Sequence, residues 1–399
     1  MAEWSELAAD LVRTIEEKLS FYQDKVRCRC ICSSWRSALP KMPHQKRDLL
    51  PWLLVPLKSK SGTGTSFGFF DLLEKKVHGL ELSDPQGKGM LFRGSSHGWV
   101  VNIENNTSIC LINPLTGAQV QLPPRSKFPD VRNYRNDKPG NEYGIREEDR
   151  DLFYTISEAH VRTYFTEKVV LSSSPQSEDF VAVAIYGEYG RLAYCKLGDR
   201  KWTFLDGVHC YYDMLFHRGQ LYAMTVNGTI MVCDIHNPFP KMIKLVSPPP
   251  GPSLTWKINL VESSVGLLIV QRRVKSLGEI DASTETFMYK TIWFKIYKLD
   301  TSSREWYQVK DIGEDMLFLG WNSSLSISCH NFPGYAGNCI YFTDDCLLYH
   351  REGIIGGFDI GVFSLTDGSI KHLPGYTGDS ELLIWPPPVW FMSNLINYY

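Results

Sequence analysis

Along residues 50 to 375 the apolar and polar positions fall into one recurring token: a strongly apolar run, then an alternating run, a polar turn, and a second alternating run. The alternating pairs read as hairpins: "GFFDLLEKKVHGLEL", "ICLINPLTGAQVQLP", "LAYCKLGDRKWTFLD", "IMVCDIHNPFPKMIKLV", "FKIYKLDTSSREWYQV" and "GVFSLTDGSIKHLPG". Ahead of each stands an apolar strand: "WLLVPL", "GWVVNI", "FVAVAIY", "QLYAMTV", "GLLIVQ" and "NCIYFT". Asn227-Gly228 and Asp367-Gly368 are hairpin-turn pairs, because such turns need positive φ, which Asn, Asp and Gly tolerate.

The turn centres Leu73, Leu115, Asp199, Asn237, Ser302 and Asp367 lie 42, 84, 38, 65 and 65 residues apart. The short spacings match a β-propeller blade of roughly 40 to 50 residues, and the longer ones require insertions. A parallel solenoid does not fit, since these strands come in antiparallel pairs. The pattern therefore predicts a mainly β chain with a propeller over residues 49–399, of six blades, or seven if part of residues 146–170 forms strands. Insertions are expected near 125–160 and 276–290. The first holds "RSKFPDVRNYRNDKPGNEYGIREEDRD", mixed in charge and almost free of β-branched residues, which reads as a loop. The tail "IWPPPVWF" is too apolar for water and too proline-rich for a central strand, so it is expected to clasp the propeller or the N-terminal module.

The first forty residues carry a different period. From Ser5, read as an N-cap, Leu7, Ala8, Leu11, Val12, Ile15 and Leu19 recur at helical spacing. Asp24 is placed to cap a second helix with Val26, Cys30 and Ile31. Ser33 or Ser34 caps a third with Trp35, Ala38 and Leu39, stopped by Pro40. Three helices within residues 1–48 are too few to support a core alone, so their apolar faces need a partner.

Composition narrows the chemistry. The 399 residues are 43% hydrophobic with a formal charge of -2, which fits a globular protein and gives no nucleic-acid footprint. Residues 25 to 47 hold seven Lys or Arg and no acid, read as a solvated face. No apolar run approaches the ~20 residues of a membrane span and the start lacks a signal-peptide layout, so a cytoplasmic or nuclear location is expected, with no membrane partner. The ten cysteines include no CxxC pair, and Cys28 and Cys30 on a helix would point about 200° apart, so no metal is expected at "VRCRCICSSWR".

Catalytic motifs are missing: GxSxG, HExxH and a Walker lysine loop do not occur, and no catalytic residue or cofactor is assigned. "GTGTSFG" at 62–68 has the wrong glycine spacing for a dinucleotide loop and reads as a connection. His97 reads as a turn residue, and Asp344-Asp345 as a solvated turn.

Two resemblances join these parts. "WSELAADLVRTIEEKL" and "DKVRCRCICSSWRSALP" resemble the F-box at Leu7, Asp10, Leu11, Ile15, Leu19, Asp24, Val26, Arg27, Ile31, Cys32, Trp35 and Arg36, departing at Ala8 and Lys25, where Pro and Leu are usual. Cys32 then stands as the F-box cysteine, with Cys28 and Cys30 as passengers. "GSSHGWVV", "LINPLTGAQVQLPP", "CKLGDRKWT", "GNCIYFTDD" and "PPPVWF" resemble plant F-box proteins with a C-terminal KIB-type β-propeller. The resemblance implies the substrate-recognition subunit of an SCF-type cullin-RING E3 ubiquitin ligase. An F-box would dock on a Skp adaptor, and through it on cullin and a RING protein, by Leu7, Leu11, Val12, Ile15, Leu19, Val26, Ile31, Cys32 and Trp35. The propeller would hold an unknown protein, with the two insertions, including Tyr134 and Tyr143, as candidates for contact. A ligase-independent scaffold and a propeller enzyme are the competing readings.

Overall fold

A computed structural model describes residues 4–19, 28–29, 31–39, 50–58, 65–80, 90–105, 107–249, 257–276, 286–287, 289–345, 355–356, 359–376 and 386–393. Every hairpin read from the alternation is present. Thr65–Asp71 pairs with Lys76–Leu80, Ile109–Ile112 with Gln119–Leu122, and Arg191–Lys196 with Thr203–Asp206. Ile230–Cys233 pairs with Ile243–Val246, Tyr289–Asp300 with Glu305–Val309, and Gly361–Ser364 with Ile370–Lys371. The apolar runs ahead of them are the strands that each hairpin extends, buried because both faces are covered by neighbouring sheets.

Four of the sheets also open with a strand that the alternation did not reveal. Leu91–Ser96, Thr166–Leu171, Tyr211–His217 and Lys257–Ser263 open their sheets, and neighbouring first strands pack on one another in chain order. Gly94, at φ +156, permits the closest of these approaches, because a Cβ there would lie 2.2 Å from the Val169 carbonyl. The ring is completed at the chain's ends. Val389–Phe391 pairs antiparallel with Trp52–Lys58, packs on Leu91–Ser96, and sets Trp390 against Phe318 of Asp315–Leu319 at 5.1 Å. The tail is thus a clasp, as expected, but one made of backbone hydrogen bonds, with Pro386, Pro387 and Pro388 buried just ahead of the strand and Trp385 outside the described residues. The last sheet differs from the others: Asp315–Leu319 runs parallel to Cys339–Phe342, and Leu325–Ser328 adds a fifth strand on its inner side.

The insertion at 125–160 is not a loop. Val131–Tyr134, Tyr143–Glu147 and Leu152–Ile156 form a three-stranded antiparallel sheet. It lies outside the ring, since Leu91–Ser96 and Thr166–Leu171 meet directly. Tyr143 and Ile145 are fully buried and Val131, Tyr154 and Ile156 pack with them, so burial holds these strands despite their low β-branched content. The 276–290 insertion is the end of a long hairpin, with Ser276 opposite Tyr289, and residues 277–285 lie outside the described residues. "GTGTSFG" turns out to be strand from Thr65 onward.

Buried side chains stitch neighbouring sheets together. Trp202 and Trp306 stand at or beside an outermost strand, and each donates its indole N–H to the carbonyl just past the outer strand of the preceding sheet: Pro123 at 2.8 Å and Ser247 at 2.8 Å. Asp213 accepts from Lys168 and, at 2.7 Å, from the Leu260 N–H, joining three successive sheets. Trp306→Phe should therefore lower stability by about 0.5–1.5 kcal/mol, the net value of one hydrogen bond. Thermal unfolding against Tyr307→Phe, which alters an exposed hydroxyl, tests this; equal melting temperatures would dismiss the stitch.

Candidate functional site

The N-terminal helices form one small core, in which Val12, Cys28, Trp35 and Leu39 are buried and Leu7, Ile15, Leu19, Cys32 and Ala38 pack around them. Trp4–Glu6 is a 3-10 turn and the helix proper is Ala9–Lys18, capped at Ala8 without a side-chain bond. Ser5 is therefore not the N-cap. The Trp4 carbonyl instead accepts the Trp35 indole N–H at 2.7 Å, and this tertiary bond holds the entry turn. The helix Ser33–Ala38 is capped by Cys32, whose sulfur accepts the Trp35 N–H, rather than by Ser33 or Ser34. Its far end is closed by arginines: Arg13 donates to the Ala38 carbonyl at 3.1 Å and Arg29 to Leu39 at 2.7 Å, so part of the basic run is spent on capping.

The residues expected to meet an adaptor divide by burial. Val12 and Trp35 are core; Leu7, Ile15, Leu19 and Cys32 are half-buried against it. Leu11 and Ile31 stand 55% and 54% exposed, and Trp4, which the spacing did not select, 65%. Val26 and Cys30 lie outside the described residues. Cys28 is no passenger: it is buried in the same small core as Val12, Trp35 and Leu39.

All described cysteines are free. Burial pushes the Cys110 and Cys339 thiols up to about 12 and Cys233 to about 11, and raises Cys195 as well. Since the thiolate is the reactive form, iodoacetamide should label Cys210 and Cys329 in the folded chain and spare these four. Peptide mapping that finds Cys110 alkylated before unfolding would refute this.

His97 sits in a turn at φ 52, as its neighbours suggested, and burial lowers its pKa. Asp344 and Asp345 are not solvated. Asp345 accepts from Arg272 at 2.8 Å and lies 3.8 Å from Lys257, while Asp344 accepts from Tyr289. Arg272 also binds Asp359 at 2.8 Å, so the cluster is a paired buried network. The two Arg272 ion pairs span 73 and 87 residues of chain, which concealed the pairing from a local reading.

The 125–160 insertion builds a concave site. A pocket of about 640 Å³ is lined by residues of 126–134 and 201–204. Phe128 forms its wall, stacked between Tyr186 at 4.5 Å and Trp202 at 4.8 Å, and the Trp202 bond to Pro123 pins that stack. Lys127, Arg132 and Lys201 supply three cations to the lining, which contains no carboxylate, although Arg132 pairs with Glu148 beyond it. Tyr134 is at this pocket, as the insertion's aromatics suggested; Tyr143 is buried behind it, 4.8 Å away. A second concavity at 217–222, 262–267 and 298–307 carries both signs, with Arg218 and Lys298 as well as Glu262 and Asp300 in its lining.

A small helical module with exposed apolar side chains, followed by a ring of four- and five-stranded sheets, is the architecture of a β-propeller protein. Residues 69–364 match the model of the KIB1-4 beta-propeller, and the chain belongs to that family. Among curated relatives, F-box protein SKIP23 of Arabidopsis thaliana is 28% identical, covering 99% of this chain and 97% of its own length. F-box protein At2g17036 of the same plant is 25% identical, covering 99% and 96%.

Proposed function

We propose that this chain is the substrate-recognition subunit of an SCF-type cullin-RING ubiquitin ligase. Residues 1–48 act as a three-helix F-box that docks on a Skp adaptor, and residues 49–399 form a propeller that captures the protein to be modified. The carrying observation is that Leu11 and Ile31 remain exposed on a module whose core is already filled by Val12, Cys28, Trp35 and Leu39. Burying each against a partner is worth roughly 1.5–3 kcal/mol. The F-box names of the relatives support an adaptor rather than a catalyst. Six blades is the count we favour, because six sheets send a first strand to the ring and the insertion's sheet does not.

The test is formation of a complex between the purified full chain and a plant Skp-type adaptor at micromolar concentration, followed by size-exclusion chromatography. A stable complex, with cullin recruited through the adaptor, is the expected result. No complex at that concentration would leave the ligase-independent scaffold as the better reading.

A further inference from the structure

We infer that the pocket between residues 126–134 and 201–204 docks an acidic segment of the captured protein: a carboxylate or phosphorylated side chain next to an apolar one. This rests on the substrate-receptor reading and adds the chemistry of what is received. Charge complementarity chooses the occupant. The chain as a whole has 42 basic and 44 acidic residues, yet this one concavity gathers Lys127, Arg132 and Lys201 without an acidic lining residue. Arg132 shares its guanidinium with Glu148 at the rim, whereas Lys127 and Lys201 form no ion pair among the described residues. Clustered like charges along a concave low-dielectric wall focus a positive potential into it.

The apolar half of the occupant follows from the wall and rim. Tyr134 and Phe204 stand 39% and 44% exposed at the edge, aromatic surface of the kind that anchors partner side chains. The Phe128, Tyr186 and Trp202 stack behind them is already ordered by packing and by the indole bond, so little further ordering is needed on binding. The volume suits a few side chains. A nucleic acid would demand a long basic stripe, which a chain of net charge -2 with three cations in one pocket does not offer.

The experiment is selection from a random-peptide display library on the purified full chain, followed by fluorescence anisotropy of the enriched peptides. Each is measured as selected, with its acidic residues changed to Gln, and with phosphoserine in their place. Enrichment of Asp or Glu beside an aromatic or aliphatic residue is expected. Affinity should fall about tenfold or more in Lys127→Glu with Lys201→Glu, and should weaken with added salt. Arms with phosphoserine binding tighter than Glu would identify a phosphorylated segment, and the reverse a carboxylate one. Both lysines are exposed, so unchanged melting temperature and unchanged adaptor binding in the double variant are the folding controls. Enriched peptides without acidic excess, acidic peptides indifferent to the charge reversal, binding of a single-stranded oligonucleotide in preference to any peptide, or no enrichment at all would each overturn the inference. Adaptor binding is read separately, so its loss in the wild type would count against the ligase reading and leave the pocket's chemistry to be judged on the peptides alone.

Discussion

Truncating the chain after residue 385 should unfold the propeller at or near physiological temperature and expose surface that binds a hydrophobic dye. The strand Val389–Phe391 is wholly buried and pairs with Trp52, Leu53 and Leu54. On one side Trp390 packs edge-on against Phe318 at 5.1 Å and Tyr341 at 6.3 Å; on the other Phe391 stacks on Phe69 at 5.3 Å. The Trp390 contacts are the seam between the first sheet and the last, and the Phe391 contact anchors the strand within the first sheet. Losing Trp390 alone, as Trp390→Ala, should cost about 3–5 kcal/mol by transfer and cavity terms. Native domains hold only about 5–15 kcal/mol in total, so removing the strand with all three side chains takes most of it. Thermal denaturation of the truncated chain, Trp390→Ala and wild type decides the matter. A truncated chain that melts with the wild type would mean the ring does not depend on this seam.

Leu11→Glu combined with Ile31→Glu should abolish adaptor binding and leave the melting temperature alone. Both side chains are more than half exposed, so the folded chain loses no core packing. At an interface each is worth roughly 1.5–3 kcal/mol, and replacing both by charges should weaken the complex a hundredfold or more. Trp35→Ala should behave differently. Trp35 is 4% exposed, holds the Trp4 carbonyl, and receives the cap from Cys32, so its loss should melt the helical module and remove binding as a consequence. Limited proteolysis near the N-terminus, read beside adaptor binding, separates the two effects. Binding retained by the double glutamate variant would move the adaptor surface elsewhere on the module.

Much of the architecture could be read from local pattern. The outer hairpins and the strands before them follow from alternation and turn residues, both local properties, and each appears where its residues placed it. The helices Ala9–Lys18 and Ser33–Ala38 were legible as amphipathic periods, but their caps were not, because Ala8 caps with no side-chain bond and Cys32 caps through its sulfur, which accepts the Trp35 N–H. The insertion was misread for a related reason. "YGIRE" and "LFYTI" are short and polar in part, and only burial of Tyr143 and Ile145 against Phe128 and Phe165 shows them as sheet.

The sequence by itself determined the mainly β character, the repeating hairpins and the presence of a small helical module at the start, since periodicity and turn chemistry act within a few residues. Tertiary structure alone decided the rest. It set which strand closes the ring, which apolar residues of the helical module face inward, and that Asp345 pairs with Arg272 and Lys257 while Asp344 accepts from Tyr289, both buried away from solvent. It also built a basic pocket from Lys127 and Lys201, 74 residues apart. The physical reason is the same in each case: burial and ion pairing are properties of neighbours in space, and in a ring of sheets those neighbours come from the most distant parts of the chain.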